Sequence, residues 1–244
     1  MSVAGRCRLW LRLGALVGLL LACVPVHLAT RLTFRASGWP RRFLKAAGWL
    51  CGVRVTVRGT PLSGNVFFAA NHVSWLDILT LAGETGCAFI SRDDVAHWPL
   101  IGWLAAQNHT ILVSRTERGA VRGQVDVVRE ALMRPQPVAL FPEGTTGDGR
   151  TLLPFKPALF TALTPPPRPL RVQPVLIDYG AATGDVAWID EEPGGANAAR
   201  ILARRRTPVV LHFLEPCDPV EFADRKLLTA VVRGRIEAAM VQAG

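Results

Sequence analysis

The chain has 244 residues, of which 50% are hydrophobic and 19% are charged. A chain this rich in apolar residues is not intrinsically disordered, and the charges that recur from Arg31 onward argue against a polytopic membrane protein. The formal net charge of +9 favours an anionic partner, and the composition leaves nucleic acid, an anionic membrane and a phosphate-bearing substrate open.

The N-terminal region predicts a membrane anchor. Residues 13–29 form an apolar run between basic flanks, at the lower limit of what crosses a bilayer. The alternatives are a cleaved signal peptide, which the basic residues after the run disfavour, and a helix that enters one leaflet with both ends at the cytoplasmic surface. Residues 39–50 mix Arg and Lys with Trp, Phe and Leu, which is typical of an interfacial amphipathic helix or of a surface helix of the folded domain.

Alternating strand and helix signals follow. Short apolar or alternating runs predict strands at residues 53–57, 66–70, 87–90, 110–113, 137–141, 172–177 and 209–213. Helical patterns lie at residues 78–82, 99–106, 121–132 and 227–241. This alternation predicts an α/β fold with a mixed, largely parallel sheet flanked by helices and preceded by an N-terminal membrane-associated helical segment.

The five cysteines are odd in number and show no CxxC spacing, so they argue against a disulfide framework and against a thiolate zinc site. They favour a reducing compartment. The scattered histidines show no metal-ligand spacing, and we expect no bound metal or cofactor. The sequence also lacks nucleic-acid recognition motifs, so we expect no nucleic-acid partner.

The segment NHVSWLD at residues 71–77 lies between a predicted strand and a predicted helix, at the sheet edge where active sites of open α/β sheets are found. A histidine can remove a proton from a hydroxyl, and a carboxylate on its second ring nitrogen fixes the tautomer. Residues five apart diverge on a regular helix, so His72 and Asp77 meet only if His72 lies in the loop and Asp77 near the helix start. The alternative is a loop histidine followed by an aspartate that stabilises a helix N-terminus.

The segment FPEGTT at residues 141–146 directly follows another predicted strand. Gly144 and Thr145 offer N–H and O–H donors suited to an anionic headgroup. Glu143 is predicted to orient a hydroxyl or to pair with an arginine such as Arg115. The alternative is a turn with an exposed glutamate.

The order and spacing of six short motifs indicate more than either segment does alone. The chain carries NHxSWxD at 71–77, FISR at 89–92, WPLIG at 98–102, ILVSR at 111–115, FPEGT at 141–145 and VQPV at 172–175. It thereby resembles the glycerolipid acyltransferase family over about residues 48 to 215, with 1-acylglycerol-3-phosphate acyltransferases the closest type. The resemblance implies a membrane-anchoring helical segment at residues 1–50 and an acyltransferase domain at residues 51–244, with the motifs between about 65 and 180.

The resemblance also implies roles for single residues. His72 is the expected general base and Asp77 its partner. The residues expected to bind the acyl acceptor are Arg115, Glu143, Gly144 and Thr145. The implied co-substrate is acyl-CoA or acyl-[acyl carrier protein], the implied partners are membrane lipids and a lysophospholipid acceptor, and the implied location is the cytoplasmic face of the cell membrane.

The sequence leaves two candidates for the lysolipid that accepts the acyl chain. Thr146 stands where the family often has arginine, which removes one candidate partner for a phosphate, and FPEGTT is also similar to enzymes that acylate lyso-ornithine lipid. We expect transfer of a fatty acyl chain from an acyl thioester to the free hydroxyl of 1-acylglycerol-3-phosphate, giving phosphatidic acid, with lyso-ornithine lipid as the alternative acceptor. An acyl thioesterase and a non-catalytic lipid-binding membrane protein are the alternatives from other classes.

Overall fold

A computed structural model describes residues 1–34, 37–114 and 121–243 of the chain. In these residues one sheet of seven strands forms the centre, in the order β1-β7-β6-β2-β5-β3-β4. The strands are β1 (Val53–Arg58), β2 (Val66–Ala70), β3 (Ala88–Arg92), β4 (Ile111–Val113), β5 (Val138–Leu140), β6 (Arg171–Asp178) and β7 (Thr207–Phe213). Each contains or overlaps a run that the sequence predicts as a strand.

Neighbouring strands are parallel throughout the sheet except β6 and β7, which are antiparallel. The central strand β2 is buried along its whole length, because helices cover both faces of the sheet. The sheet is therefore mixed and largely parallel, and the predicted fold class is confirmed.

Eight α-helices and several short 3-10 turns connect the strands in the described residues. The helices are α1 (Val3–Phe34), α2 (Trp39–Leu50), α3 (Leu76–Thr85), α4 (Ile101–Gln107), α5 (Val121–Leu132), α6 (Thr183–Val186), α7 (Gly194–Ala203) and α8 (Arg225–Ala243). Residues from α3 and α7 pack with Phe68 and Ala70 on one face, and residues from α5 and α8 pack with Phe67 and Ala69 on the other. The two faces of β2 thus supply two separate cores.

Three helices differ from the predictions, and one of them, the four-residue α6, has no counterpart among the predicted helices. Pro99 was expected inside the helix at 99–106, but α4 begins at Ile101, after a turn in which Leu100 has a φ of 63°. Helix α7 had no counterpart among the predictions, since its sequence opens with two glycines and carries only a short apolar pattern.

Helix α1 is long and apolar enough to cross a membrane by length and composition, with a mean hydropathy of 2.1 in its most apolar window. It nevertheless contacts the folded domain at both ends. Near its start, the Arg12 guanidinium donates to the carbonyls of Leu202, Arg204 and Arg205 at the end of α7. Near its end, His27 is hydrogen bonded to Gln107 of α4. That residues 1–50 are a membrane-anchoring segment stays a prediction.

Helix α2 has the predicted bounds and packs against α3. A side chain at Gly83 of α3 would lie 3.0 Å from the Cα of Lys45, so the glycine permits this close approach of the two helices. The N-terminal segment therefore lies directly behind the helix that carries Asp77.

Candidate active site

Three neighbouring strands deliver the side chains of the site. In the order β6, β2, β5, these strands are parallel to one another. Tyr179 follows β6, His72 follows β2 after one residue, and Glu143 follows β5 after two residues. Because the carboxyl ends of parallel strands meet at one edge of a sheet, residues far apart in sequence come together there.

Asn71 ends the sheet pairing of β2 and turns the chain toward the site. Its side-chain amide donates to the carbonyl of Ile177 at 3.0 Å, and its side-chain oxygen accepts the Ile177 N–H at 2.7 Å. The side chain thereby replaces a strand's backbone in the pairing with β6. The backbone of His72 is free to leave the sheet.

His72 and Asp77 are brought together in the way that their spacing requires. His72 lies in the loop, Asp77 is the second residue of α3, and His72 Nδ1 is 2.7 Å from Asp77 Oδ2. The same carboxylate oxygen accepts the N–H groups of Val73 at 2.6 Å and Ser74 at 2.9 Å. Asp77 thus holds the loop and the imidazole with one oxygen.

The imidazole of His72 is also fixed in its plane. It stacks on the ring of Phe141, with 3.9 Å between centroids and 5° between planes, and Phe141 stacks in turn on Phe89. Asp77 Oδ2 accepts a hydrogen bond from Nδ1–H, so the neutral imidazole carries its proton on Nδ1 and Nε2 is the nitrogen with a free lone pair. The His72 side chain is 17% exposed, which leaves it accessible to a substrate.

Glu143 does not lie exposed in a turn, as one reading of the sequence proposed, because it is 3% exposed. Its Oε1 accepts the backbone N–H of His72 at 2.7 Å, and its Oε2 accepts the N–H of Leu153 at 3.0 Å. Burial raises the pKa of Glu143, and the two backbone donors oppose that shift. In the described residues, Glu143 therefore positions the backbone that bears His72.

A cavity of about 480 Å³ opens beside Glu143. Its wall includes Thr145, Lys156 and Arg225, together with the apolar side chains of Leu153 and Phe155. Gly144 forms the preceding turn with a φ of 74°, and its N–H donates to the carbonyl of Phe141. The predicted acceptor-binding residues Gly144 and Thr145 thus lie at this cavity or next to it.

Arg115, the remaining predicted binding residue, lies outside the described residues. Within residues 1–34, 37–114 and 121–243, no group of three His, Cys, Asp or Glu side chains is arranged to hold a metal ion.

Two residues of the site escaped the sequence analysis. Tyr179 donates its hydroxyl to Asp77 Oδ1 at 2.7 Å and is buried. Phe141, the stacking partner of His72, is predicted as the end of a strand and the first residue of FPEGTT, with no role toward His72. The available signal is positional, since Phe141 ends a predicted strand and Tyr179, like His72, lies two residues after one.

Comparisons with known proteins identify the family of the chain. A family model described as acyltransferase matches residues 54–178. The lyso-ornithine lipid O-acyltransferase of Rhodobacter capsulatus is 34% identical over 99% of this chain and 93% of its own length. The 1-acyl-sn-glycerol-3-phosphate acyltransferase of Neisseria gonorrhoeae is 31% identical over 71% of this chain and 68% of its own. The chain also superposes on the crystal structure of the 1-acyl-sn-glycerophosphate acyltransferase of Thermotoga maritima, with a TM-score of 0.62 and 25% identity. The superposition covers 83% of this chain and 77% of the Thermotoga chain.

The buried carboxylate of Glu143 generates a prediction for the pH dependence of stability. Because its pKa is raised in the folded chain above 4.5, the folded chain keeps this proton to higher pH than the unfolded chain does. The stabilisation that this proton provides is fully present below pH 4.5. It is lost as the pH rises through the pKa that Glu143 has in the folded chain. We therefore expect the free energy of unfolding of the wild type, relative to Glu143→Gln, to fall as the pH rises above 4.5.

The measurement is urea unfolding in detergent, followed by tryptophan fluorescence at several pH values. Glu130→Gln is the matched control, since Glu130 is an exposed glutamate on α5 and should show no such slope. A constant difference between wild type and Glu143→Gln across the range would contradict the prediction.

Proposed function

Because this chain belongs to the acyltransferase family and is an O-acyltransferase of lysolipids, we propose that its acceptor is lyso-ornithine lipid and its donor an acyl thioester. The choice of acceptor rests on the share of this chain that each group of relatives aligns with. Relatives named for lyso-ornithine lipid align along nearly the whole chain, including the two N-terminal helices, whereas the Neisseria relative named for 1-acyl-sn-glycerol-3-phosphate aligns over 71% of the chain.

The turn after β5 is consistent with an acceptor that lacks a phosphate. Residues 141–149 contain no lysine or arginine. Thr146, at the position where an arginine would pair with phosphate, instead donates its hydroxyl to the carbonyl of Trp188. An amino-acid lipid places no dianionic phosphate near this turn and needs no cation from it.

The acceptor 1-acylglycerol-3-phosphate is the second candidate. Lys156 and Arg225 line the cavity beside Glu143, and two cations at one cavity suit a phosphate. This candidate would give phosphatidic acid as the product.

In the proposed mechanism, Nε2 of His72 takes the proton of the acceptor hydroxyl as its oxygen attacks the thioester carbonyl carbon. Asp77 stabilises the imidazolium that forms. The carbon–sulfur bond then breaks, and the proton passes from His72 to the departing thiolate. The products are an ester and a free thiol, so no covalent acyl-enzyme is required.

We propose acyl-CoA or acyl-[acyl carrier protein] as the donor. Coenzyme A is anionic, and the net charge of +9 on this chain favours the approach of an anionic donor. Such donors are soluble cytoplasmic molecules, so the site belongs on the cytoplasmic face of the membrane.

The attachments of α1 favour insertion into one leaflet. Arg12 and His27 are about 22 Å apart along the helix, and both are bonded to the folded domain. A helix held along the domain at both ends cannot cross the bilayer while the domain stays in water. Its outward side chains are the surface for lipid, and they include Trp10, Leu11, Val17, Leu21, Leu28 and Leu32.

The mechanism predicts that His72→Ala lowers the rate of acyl transfer by about 10³-fold, because the general base is lost. The measurement is thiol release from a long-chain acyl thioester by purified protein in detergent, with a lysolipid present. His97→Ala, at an exposed histidine of the same domain, should retain wild-type turnover. Wild-type turnover by His72→Ala would remove His72 from the mechanism.

The same thiol-release assay identifies the acceptor when three reactions are compared. One contains no lysolipid, one contains lyso-ornithine lipid and one contains 1-acylglycerol-3-phosphate. We expect release only with lyso-ornithine lipid, with the diacylated product identified by mass spectrometry. Release only with the phosphate-bearing lipid would establish the second candidate instead. Equal release in all three reactions would mean a thioesterase and would overturn both.

The one-leaflet arrangement predicts that both ends of α1 lie on the same side of the membrane. With Cys7 and Cys23 replaced by serine, only the buried Cys51, Cys87 and Cys217 remain, and cysteines added one at a time at Ser2 and at Thr33 should react equally with an impermeant maleimide in sealed inside-out vesicles. A cysteine at Glu237, an exposed residue of α8, marks the side that the domain occupies. Labelling of the two α1 positions from opposite sides would establish a membrane-spanning helix.

A further inference from the structure

The two oxygens of the Asp77 carboxylate have different partners. Oδ2 faces the His72 imidazole and accepts two backbone N–H groups as well. Oδ1 accepts the hydroxyl of Tyr179 at 2.7 Å. Asp77 is completely buried and Tyr179 is 2% exposed, so water does not compete for this hydrogen bond.

The direction of this hydrogen bond is fixed. An ionised carboxylate only accepts, so the phenol donates. Burial, and then the adjacent Asp77 carboxylate, raise the pKa of Tyr179 well above its ordinary value. The hydroxyl therefore keeps its proton and remains the donor to Oδ1.

A donor on Oδ1 changes what Oδ2 can do. It draws negative charge toward Oδ1, and the carboxylate then stabilises an imidazolium less strongly. Two titratable groups face the His72–Asp77 pair from neighbouring strands: Glu143 after β5 and Tyr179 after β6. Glu143 bonds to the backbone of His72 rather than to its ring and acts on the pair only through its charge, whereas Tyr179 donates a hydrogen bond to Oδ1 of the carboxylate.

We propose that Tyr179 is a positioning residue whose hydroxyl sets the proton affinity of the His72–Asp77 pair. This inference rests on the proposed function, in which neutral His72 is the base. The hydroxyl reduces the stabilisation of the His72 imidazolium by the Asp77 carboxylate. The base is therefore neutral at a lower pH, and its imidazolium transfers the proton more readily to the departing thiolate.

Tyr179 is the single tyrosine of the chain, which allows an unusually selective experiment. Tyr179→Phe removes the donor. Biosynthetic incorporation of 3-fluorotyrosine, in a chain without added tyrosines, changes this one residue and makes its phenol a stronger donor. The measurement is kcat for acyl transfer against pH, with the acceptor KM and the thermal unfolding temperature determined alongside.

We expect the acidic limb of the profile to move in opposite directions. In Tyr179→Phe it should move to higher pH by about half a unit, a loss of about threefold in rate on the acidic slope. In the fluorotyrosine protein it should move to lower pH by a similar amount. The acceptor KM should stay within about twofold in both, because Tyr179 is buried and acts through Asp77.

The matched control is Thr229→Val, which removes another buried hydroxyl, on α8, and should leave the limb in place even if it lowers the unfolding temperature. The fluorotyrosine protein keeps its hydroxyl and serves as the test if Tyr179→Phe does not fold. A limb that stays fixed in both altered proteins, or that moves the same way in both, overturns the inference. If the wild type transfers no acyl group to any lysolipid, the proposed function fails instead, so the two failures are distinguishable.

Discussion

The buried carboxylate of Asp77 is the constraint on which the site depends. Removing an ionised carboxylate from water costs several kcal/mol unless donors replace the lost hydration. Asp77 has four such donors: the Nδ1–H of His72, the backbone N–H groups of Val73 and Ser74, and the hydroxyl of Tyr179. Satisfying one charge therefore fixes the path of the loop, the tautomer of the histidine and the join to β6.

The neighbouring strands complete what Asp77 begins. Asn71 uses both ends of its amide on Ile177, so the end of β2 is locked to β6 immediately before His72. From the other side, Glu143 holds the His72 N–H, and Phe141 supplies the stacking surface for the ring. The imidazole is thus held at its nitrogen by Asp77 of α3, and at its backbone and its ring face by the segment that follows β5. A side chain held in this way loses little conformational entropy when a substrate binds.

Much of this arrangement is readable from the sequence, for physical reasons. Strands such as residues 66–70 are buried on both faces and appear as continuous apolar runs, which is why their positions were predicted well. The condition that His72 lie in a loop and Asp77 at a helix start follows from helix geometry alone, and the structure meets it.

The features of the site that cannot be read from the sequence depend on the order of the strands in the sheet. Tyr179 is 102 residues from Asp77 in the chain and meets it only because β6 lies beside β2. The burial of Glu143 follows in the same way from the pairing of β5 with β2, whereas a Pro-Glu-Gly turn taken alone is typical of an exposed surface. The contact of Tyr179 with Asp77 and the burial of Glu143 therefore both arise between neighbouring strands, which a reading along the chain does not place side by side.

The same reasoning connects the site to the membrane. Asp77 stands at the start of α3, and the body of α3 packs against α2, whose backbone comes close at Gly83. Helix α2 packs in turn against α1, which carries the outward apolar side chains. Only one layer of helix therefore separates the helix that carries Asp77 from the proposed lipid-facing helix. A lysolipid that keeps its acyl chain among the apolar side chains of α1 needs to raise only its headgroup to the strand ends that hold His72. The enzyme then need not extract the whole lipid from the bilayer, a step that would expose the acyl chain to water at about 0.8 kcal/mol for each CH₂ group.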